Sequence, residues 1–404
     1  MTHSPLRVAF FPDAYFEMDG VACTSRHFEA FAKQRGLPFL VVHAGPQDET
    51  VNDGSVTRIQ LRRGFWQFPI DRGHRFDFGF IARYRKIAKA VADFKPDLVQ
   101  ITGPSDVGIL GALVAHQLHV PLAASWQTNL HLYAARRATA AVFFLPGRWR
   151  AKIGAAIERW SLRATARFYK IPRLLFAPNQ EIIEWLENAT RKPCFLMSHS
   201  VDTHAFDPAF RDRASGPFRI GYVGRLTAEK NVRALAQFEK NLIGMGQTNF
   251  RIVIVGDGFE RHWLEQHMQR AEFTGALTGR ELARAFANMD ALVFPSETET
   301  FGLVVLEALA SGVPAVVGER GGPKFTVQHG KTGFVAQGIR EFAGYAAILM
   351  NHPDLLAEMR TAARDYALST SWERIFEGMY EAYDQCLYAA KSVHRSVFDA
   401  ATIG

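Results

Sequence analysis

Short apolar runs recur along the chain, many closed by Gly or Pro, and each is followed by a stretch with helical spacing. In the first half, LRVAFF (6–11), PFLVVHAG (38–45), VTRIQL (56–61), DLVQITG (97–103), PLAASWQT (121–128), LLFAPN (174–179) and CFLMSHS (194–200) read as strands. Between them, CTSRHFEAFAKQRG sets Phe28 and Phe31 on one side of a helix that stops at Gly36. IARYRKIAKAVADF (81–94) ends before Pro96, SDVGILGALVAHQLH (105–119) opens on a Ser N-cap, and a basic helical segment fills 148–170. After VDTHAFDPAFRDRASGP, rich in Pro, Gly and Asp, the pattern restarts. FRIGYVG (218–224), RIVIVGDG (251–258), EFTGAL (272–277), ALVF (291–294) and PAVVGE (314–319) are its strands. Strands alternating with helices predict βαβ units, so the fold class is α/β with two doubly wound, Rossmann-like parallel-sheet domains. The expected boundaries are residues 1–200, 201–370 and 371–404. The last piece holds a helix, WERIFEGMYEAYDQCLYAA (372–390), with aromatics on one face, and a tail from Lys391 without strong pattern. Whether that helix crosses back to the first domain is not decided by sequence. Two such domains in tandem predict a cleft between the carboxyl ends of two sheets, where ligands of these folds bind.

One stretch of the second domain concentrates chemistry. FPSETETFGLVVLEALASGVP (294–314) reads as a strand end, a polar loop and a helix closed by Gly312 and Pro314. Glu299 sits in the loop and Glu307 on the helix, eight residues later. The first helical N–H groups, near Gly302 and Leu303, lack intrahelical partners and carry partial positive charge, which suits a phosphate. Gly302 has no side chain, so a ligand can approach its backbone. A diphosphate there has one acid above it and one down the helix side. A nucleotide sugar has that shape: Glu299 accepts from sugar hydroxyls and Glu307 takes the ribose diol. A solvated helix acid beside an ordinary loop acid is the plain alternative. GYVGRLTAEKN (221–231) adds two cations after the domain's first strand: Arg225 leaves the strand end and Lys230 opens the next helix. Two fixed cations neutralise a diphosphate leaving group as a metal would. No DxD motif occurs in the sequence, so no metal is expected.

Composition narrows the class. The 404 residues suffice for two domains, and 48% hydrophobic content is that of a globular chain. No apolar run approaches the ~20 residues that span a bilayer. VAFF near the start is too short for a signal peptide and reads as the first strand. Cys23, Cys194 and Cys386 are far apart without a CxxC, which fits a reducing cytoplasm and offers no metal site. Charge is uneven: residues 1–200 hold 26 Lys+Arg against 16 Asp+Glu (+10), and 201–404 hold 21 against 24 (−3), summing to +7. The first half therefore meets or tolerates something anionic.

GRLTAEKN, VGDG, FTGAL, ELARAFANMDALVFPSETETFGLVVLEALASGVP and GGPKFTVQHGKTGFVA together resemble the C-terminal half of retaining GT-B glycosyltransferases of family 4, the glycosyl transferase group 1. VDTHAFDP resembles that family's interdomain stretch, and the likeness runs from the first strand to about Met350. The acidic pair matches the family's E-x7-E motif. The resemblance implies a hexosyl transfer from a UDP-hexose or GDP-mannose to an acceptor hydroxyl, in glycolipid or polysaccharide assembly. Glu299 would contact the donor sugar, Glu307 the ribose, and Arg225 and Lys230 the diphosphate. The backbone of Gly302 and Leu303 would touch the sugar-phosphate, and Gly20 would free backbone N–H groups to face phosphate from the first domain. No cofactor is implied, the nucleotide sugar being a co-substrate. In the family the leaving phosphate is thought to accept the acceptor's proton on the front face.

One position departs from the family. ASWQTNLHLY (124–133) resembles a segment, often S-[FYW]-H-T-[DN], whose His lies near the donor sugar, and here Gln127 takes its place. Gln hydrogen-bonds a hydroxyl and carries no proton near neutral pH. His131, four residues on, is a candidate replacement or a structural histidine.

GRWRAKIGAAIERWSLRATARFYKIPR (147–173) holds eight basic residues and one acid, Glu158. On a helical wheel Arg148, Lys152, Arg159, Arg163, Arg167 and Lys170 share an arc of about 100°. Trp149, Ile153, Ile157, Trp160 and Phe168 fill the adjoining arc. A basic stripe beside an apolar one suits an anionic membrane surface or a lipid acceptor. A domain helix with a packed apolar side and a solvated basic face is the other reading. Nucleic acid is not expected, because no recognition motif accompanies the charge. The expected partners are a nucleotide sugar, a lipid or saccharide acceptor and an anionic membrane surface, for a cytoplasmic protein peripheral at the inner face of the membrane. The rivals are a GT-B phosphorylase, for which no pyridoxal lysine motif is seen, and a non-catalytic nucleotide-sugar-binding protein, for which Gln127 is the hint.

Overall fold

Three strands, Val8–Phe11, Leu174–Ala177 and Ala291–Phe294, are four uninterrupted residues of Val, Leu, Phe and Ala, buried along their whole length. Such strands are stable only with helices on both faces of a sheet. The computed structural model describes residues 4–17, 20–64, 67–71, 74–129 and 146–401. Among these the chain divides into two units, residues 1–198 with 372–404, and residues 199–371.

The first unit contains strands β1 (Val8–Phe11), β2 (Phe39–Gly45), β3 (Glu49–Asp53), β4 (Val56–Arg62), β5 (Gln67–Asp71), β6 (His74–Asp77), β7 (Leu98–Ile101), β8 (Leu122–Ser125), β9 (Leu174–Ala177) and β10 (Cys194–Leu196). Its helices are α1 (Gly20–Gln34), α2 (Tyr84–Phe94), α3 (Asp106–Gln117), α4 (Gly147–Phe168) and α5 (Gln180–Thr190). Eight strands form one sheet in the order β10-β9-β8-β7-β1-β2-β4-β3. Every neighbour is parallel except β3, which runs antiparallel to β4. β5 and β6 form a separate hairpin. The order reverses between β1 and β7: β1 pairs with β2 on one side (Val8 opposite Phe39) and β7 on the other (Val8 opposite Leu98).

The second unit contains β11 (Phe218–Val223), α6 (Ala234–Gly244), β12 (Phe250–Val255), α7 (Arg261–His267), β13 (Ala271–Gly275), α8 (Gly279–Ala287), β14 (Ala291–Phe294), α9 (Leu303–Ala310), β15 (Ala315–Gly318), β16 (Gly333–Ala336), α10 (Ile339–Asn351) and α11 (Pro353–Ser369). Its six strands are all parallel, in the order β13-β12-β11-β14-β15-β16. The order reverses between β11 and β14. Such reversals open a crevice at the carboxyl ends of the strands, the ligand position of open α/β sheets.

The segment after Ser200, rich in Pro, Gly and Asp, is strapped to the second unit by arginines. Arg211 and Arg213 each reach the Asp290 carboxylate at 2.7 Å, and Arg364 reaches Asp207 at 2.6 Å. These guanidinium partners and the Arg219 N–H hold the Asp290 carboxyl below its usual range despite burial. The last helix, α12 (Trp372–Ala401), belongs to the first unit. Phe376 stacks on Phe28 at 4.7 Å, Tyr383 meets Phe176 at 5.6 Å, and the Tyr383 hydroxyl donates to Gln100 Oε1 at 3.1 Å. The helix continues past the expected end at Ala390 through Ala401, so the tail from Lys391 is helical.

Candidate functional site

In the second unit, the switch point between β11 and β14 gathers the candidate residues. β11 ends at Val223, and Arg225, exposed, follows Gly224. The Tyr222 hydroxyl donates to the Arg225 carbonyl at 3.1 Å and fixes the backbone there. Lys230 does not open a helix as expected. It closes a short 3-10 turn, Ala228–Lys230, and α6 begins only at Ala234, because Asn231 turns left-handed (φ 54°) and ends the turn.

That turn is joined to the loop after β14 by three contacts. Thr298 Oγ1 donates to the Glu229 carbonyl at 3.1 Å, and Asn231 Nδ2 donates to the Pro295 carbonyl at 3.3 Å. The Lys230 ammonium pairs with Glu299 Oε1. Both charged side chains are largely shielded, 12% and 22% exposed, so their attraction is less screened than that of a surface pair. From behind, the Gly322 N–H donates to the Glu299 carbonyl at 2.8 Å. Glu299 is thus held both through its side chain and through its backbone.

α9 starts after Gly302, whose backbone is left-handed (φ 86°, ψ 67°). A side chain there meets two obstacles, the positive φ and Pro323 Cγ, 2.9 Å from where a Cβ sits. Leu303 follows as the first helical residue, and the Val305 N–H already bonds back to the Gly302 carbonyl at 2.9 Å. The first turn therefore has the N–H groups and dipole end that attract an anion. Glu307 lies one turn along α9. Its side chain keeps some contact with solvent, yet surrounding protein desolvates the carboxyl and pushes it up to about 7. His199, missed in the sequence reading as part of a strand, is buried against Phe301 with ring centroids 4.5 Å apart. Burial lowers its imidazole to about 4, so it is neutral at physiological pH.

The first unit has its own switch point, between β1 and β7. Asp13 follows β1; its N–H donates to Thr102 Oγ1 at 2.6 Å, and its carboxylate accepts from Ser105 Oγ at 2.5 Å. Ser105 also caps α3 through the Gly108 N–H at 2.9 Å. Gly20 is the first residue of α1. Gln127 follows β8, is buried, and its Nε2 contacts Ser125 Oγ at 3.3 Å. His131 lies outside the described residues.

The five basic residues Arg148, Lys152, Arg159, Arg163 and Arg167 of α4, and Lys170 in the turn after it, are all exposed. The expected apolar arc divides. Ile153, Ile157 and Phe168 turn inward and are half-buried, while Trp149 and Trp160 stay 52% and 70% exposed beside the basic arc. Lys152 Nζ lies 5.6 Å from the Trp149 ring centroid. No helix among the described residues is long and apolar enough to cross a membrane.

Comparison with known proteins gives the family and the fold. The family Glycosyl transferases group 1 matches residues 217–352, the part that holds Arg225, Lys230, Glu299 and Glu307. A GDP-mannose-dependent alpha-mannosyltransferase of Mycobacterium tuberculosis is 33% identical over 74% of this chain and 76% of its own length. One of the same description from Corynebacterium glutamicum is 27% identical over 98% of this chain and 92% of its length. Among solved structures, sucrose-phosphate synthase from Thermosynechococcus elongatus superposes with a TM-score of 0.71 over 95% of this chain and 100% of that one, at 18% identity, a likeness of fold. The chain therefore belongs to the group 1 glycosyl transferases and has the GT-B fold.

Proposed function

We propose that this glycosyltransferase moves a mannosyl group from GDP-mannose to a hydroxyl of a saccharide or glycolipid acceptor, with retention of configuration and without a bound metal ion. The observation that carries the reading is the joined pair of strand-end loops in the second unit. They set Lys230 and Glu299 side by side, near the N-terminal turn of α9 and one turn from Glu307. Arg225 and Lys230 take the diphosphate and offset its charge as the bond from the anomeric carbon to phosphate oxygen breaks. Gly302 and Leu303 offer backbone to the sugar-phosphate, Glu299 the sugar hydroxyls a carboxylate, and Glu307 the ribose diol. As the acceptor oxygen bonds to the anomeric carbon on the same face, its proton passes to the departing phosphate, so no side-chain base is required. The description shared by the two relatives favours GDP-mannose over a UDP-hexose.

A thermal-shift series with GDP-mannose, UDP-glucose and ADP-glucose tests the donor, GDP-mannose giving the largest rise. Slow release of mannose from GDP-mannose without acceptor distinguishes an enzyme from a nucleotide-sugar-binding protein. Proton NMR of the first product formed reads the anomeric configuration. Transfer that vanishes on chelation and returns with Mg²⁺ or Mn²⁺ would sink the metal-independent reading.

A second feature supports an acceptor held at an anionic membrane, at the inner leaflet. Two exposed tryptophans border the six exposed basic side chains of α4 and the turn after it. Each basic residue near such a surface contributes on the order of 1 kcal/mol, screened by salt. Co-sedimentation with phosphatidylglycerol vesicles should fall on replacing Arg159, Arg163 and Arg167 with Gln, and on adding salt. Unchanged co-sedimentation in both arms rejects the membrane and leaves a soluble acceptor.

A further inference from the structure

The switch point of the first unit carries an aromatic side chain that neither the fold nor the donor chemistry uses. Phe16 follows β1 in the same loop as Asp13 and is 56% exposed. A single exposed Phe is ordinary on a protein surface. This one is unusual in how firmly it is held. Its neighbours Tyr15 and His43 stack on each other, 4.1 Å between centroids and 8° between planes. The Phe16 ring stands perpendicular to both, 5.3 Å from Tyr15 (81°) and 5.2 Å from His43 (75°). Equal distances to the two members set it beside the stack, in the edge-to-face geometry aromatic rings prefer.

The backbone beneath is fixed by charge. One oxygen of the Glu17 carboxylate accepts from the N–H of Tyr15 at 2.8 Å and of Phe16 at 3.1 Å. The Arg26 guanidinium donates to the Tyr15 carbonyl, and the Tyr15 hydroxyl donates to Glu29. Glu29 is in turn paired with Arg58 at 2.7 Å, and its side chain is 8% exposed. A ring held this way loses little freedom when a ligand covers it, so its contact area converts to affinity at low entropic cost.

We propose that Phe16 is a stacking platform for a sugar ring of the acceptor, with the pyranose C–H face on the aromatic ring and its hydroxyls turned to the polar groups of the same strand end. Pyranose rings present an apolar face of axial C–H bonds and a rim of hydroxyls. The ordered ring matches the first part, and the polar groups of the same strand end, the Asp13 carboxylate held by Ser105 among them, match the second. The position at the β1–β7 reversal, where open α/β sheets bind ligands, is the second ground. This rests on the glycosyl-transfer reading only in naming the sugar as an acceptor.

Saturation-transfer NMR on the full chain with GDP present tests it. The probes are methyl β-D-glucopyranoside, methyl α-D-mannopyranoside and, as a polyol without a rigid apolar face, mannitol. The expected result is transfer to ring C–H protons of at least one glycoside and none to mannitol. Phe16→Ala should weaken glycoside binding roughly five- to tenfold, Phe16→Trp should retain it, and Phe16→Leu, apolar but not flat, should lose it. The GDP-induced thermal shift of the Phe16→Ala protein should equal that of the unaltered chain, which shows that the variant is folded. No transfer to either glycoside, equal transfer to mannitol, or binding unchanged by Phe16→Ala or kept by Phe16→Leu overturns the proposal. Absence of a GDP shift in the unaltered chain counts against the donor reading instead, and the NMR readout stands apart from it.

Discussion

The two sheets reverse strand order in the same way, and their carboxyl edges differ in what becomes of charge. In the second unit, opposite charges meet across two loops, Lys230 with Glu299, and a second acid, Glu307, is desolvated on the helix that follows. In the first unit, carboxylates are committed to the fold. Asp106 takes Arg63 at 2.7 Å and the Asp77 N–H at 2.9 Å, Glu29 takes Arg58, and Asp13 holds the α3 cap. What we propose that edge offers a ligand is an amide, Gln127, an aromatic ring, Phe16, and the remaining capacity of the Asp13 carboxylate. Arg63 and Arg58 are spent on those carboxylates, and six further cations are exposed on α4 and the turn after it. One topology therefore presents an ion pair and a desolvated acid in one unit and fold-bound carboxylates in the other, since the fold provides the position and the loops provide the groups.

The comparison breaks most visibly at Glu299. Glu299→Ala should lower kcat/KM by about a hundredfold or more, the scale of removing one preorganised polar group, while GDP affinity survives. Isothermal titration with GDP beside steady-state transfer reads both; equal loss of the two contradicts the division of roles between Glu299 and Glu307. Arg225→Ala comes next, at about 2 kcal/mol of transition-state stabilisation, roughly thirtyfold, with the melting temperature unmoved because the side chain is exposed. A fall confined to stability would make Arg225 a structural residue.

Gly302→Ala should cost about 1–2 kcal/mol of stability, through a positive φ and the close Pro323 ring, measured by chemical denaturation. No change would mean that the loop relaxes freely and that α9 does not begin where the strained backbone sets it. The smallest effect belongs to Glu307 and pH. The native carboxyl keeps its proton to about pH 7, where the unfolded one loses it near 4.5. The native state thus binds more protons in that window, and stability falls as pH rises through it, by about 1 kcal/mol after allowing for partial exposure. Glu307→Gln should remove that slope in the difference between the two proteins. The difference matters because His43 and His199, both lowered to about 4 by burial, act oppositely, losing stability as pH falls from about 6.5 to 4.

How much of this was legible varies by element. β14 and α9 stand out because an apolar run, a polar loop and a Gly–Pro stop follow in order, and Glu299 and Glu307 come with them. β3 (Glu49–Asp53) did not, because ETVND is a polar, largely exposed edge strand whose only neighbour is β4. β16 is four residues among turn residues, too short for periodicity to mark. The supporting groups Asn231 and Thr298 were invisible as such, since their partners lie 64 and 69 residues away. On α4 the wheel was right about the basic arc and wrong to keep the apolar residues together.

Local pattern by itself determined the alternation of strands and helices, two α/β domains, the Gly302–Leu303 helix start and the basic face of α4. These depend on side chains close in sequence, whose spacing matches the period of one element. Tertiary structure alone decided which strand ends are neighbours, and hence that Lys230 meets Glu299 and that Asp13 meets Ser105. It also decided which members of one helical arc are covered, leaving Trp149 and Trp160 exposed and Ile153 and Ile157 half-buried. Burial and long-range pairing are set by what a residue packs against, and no residue's own neighbours in the chain carry that information.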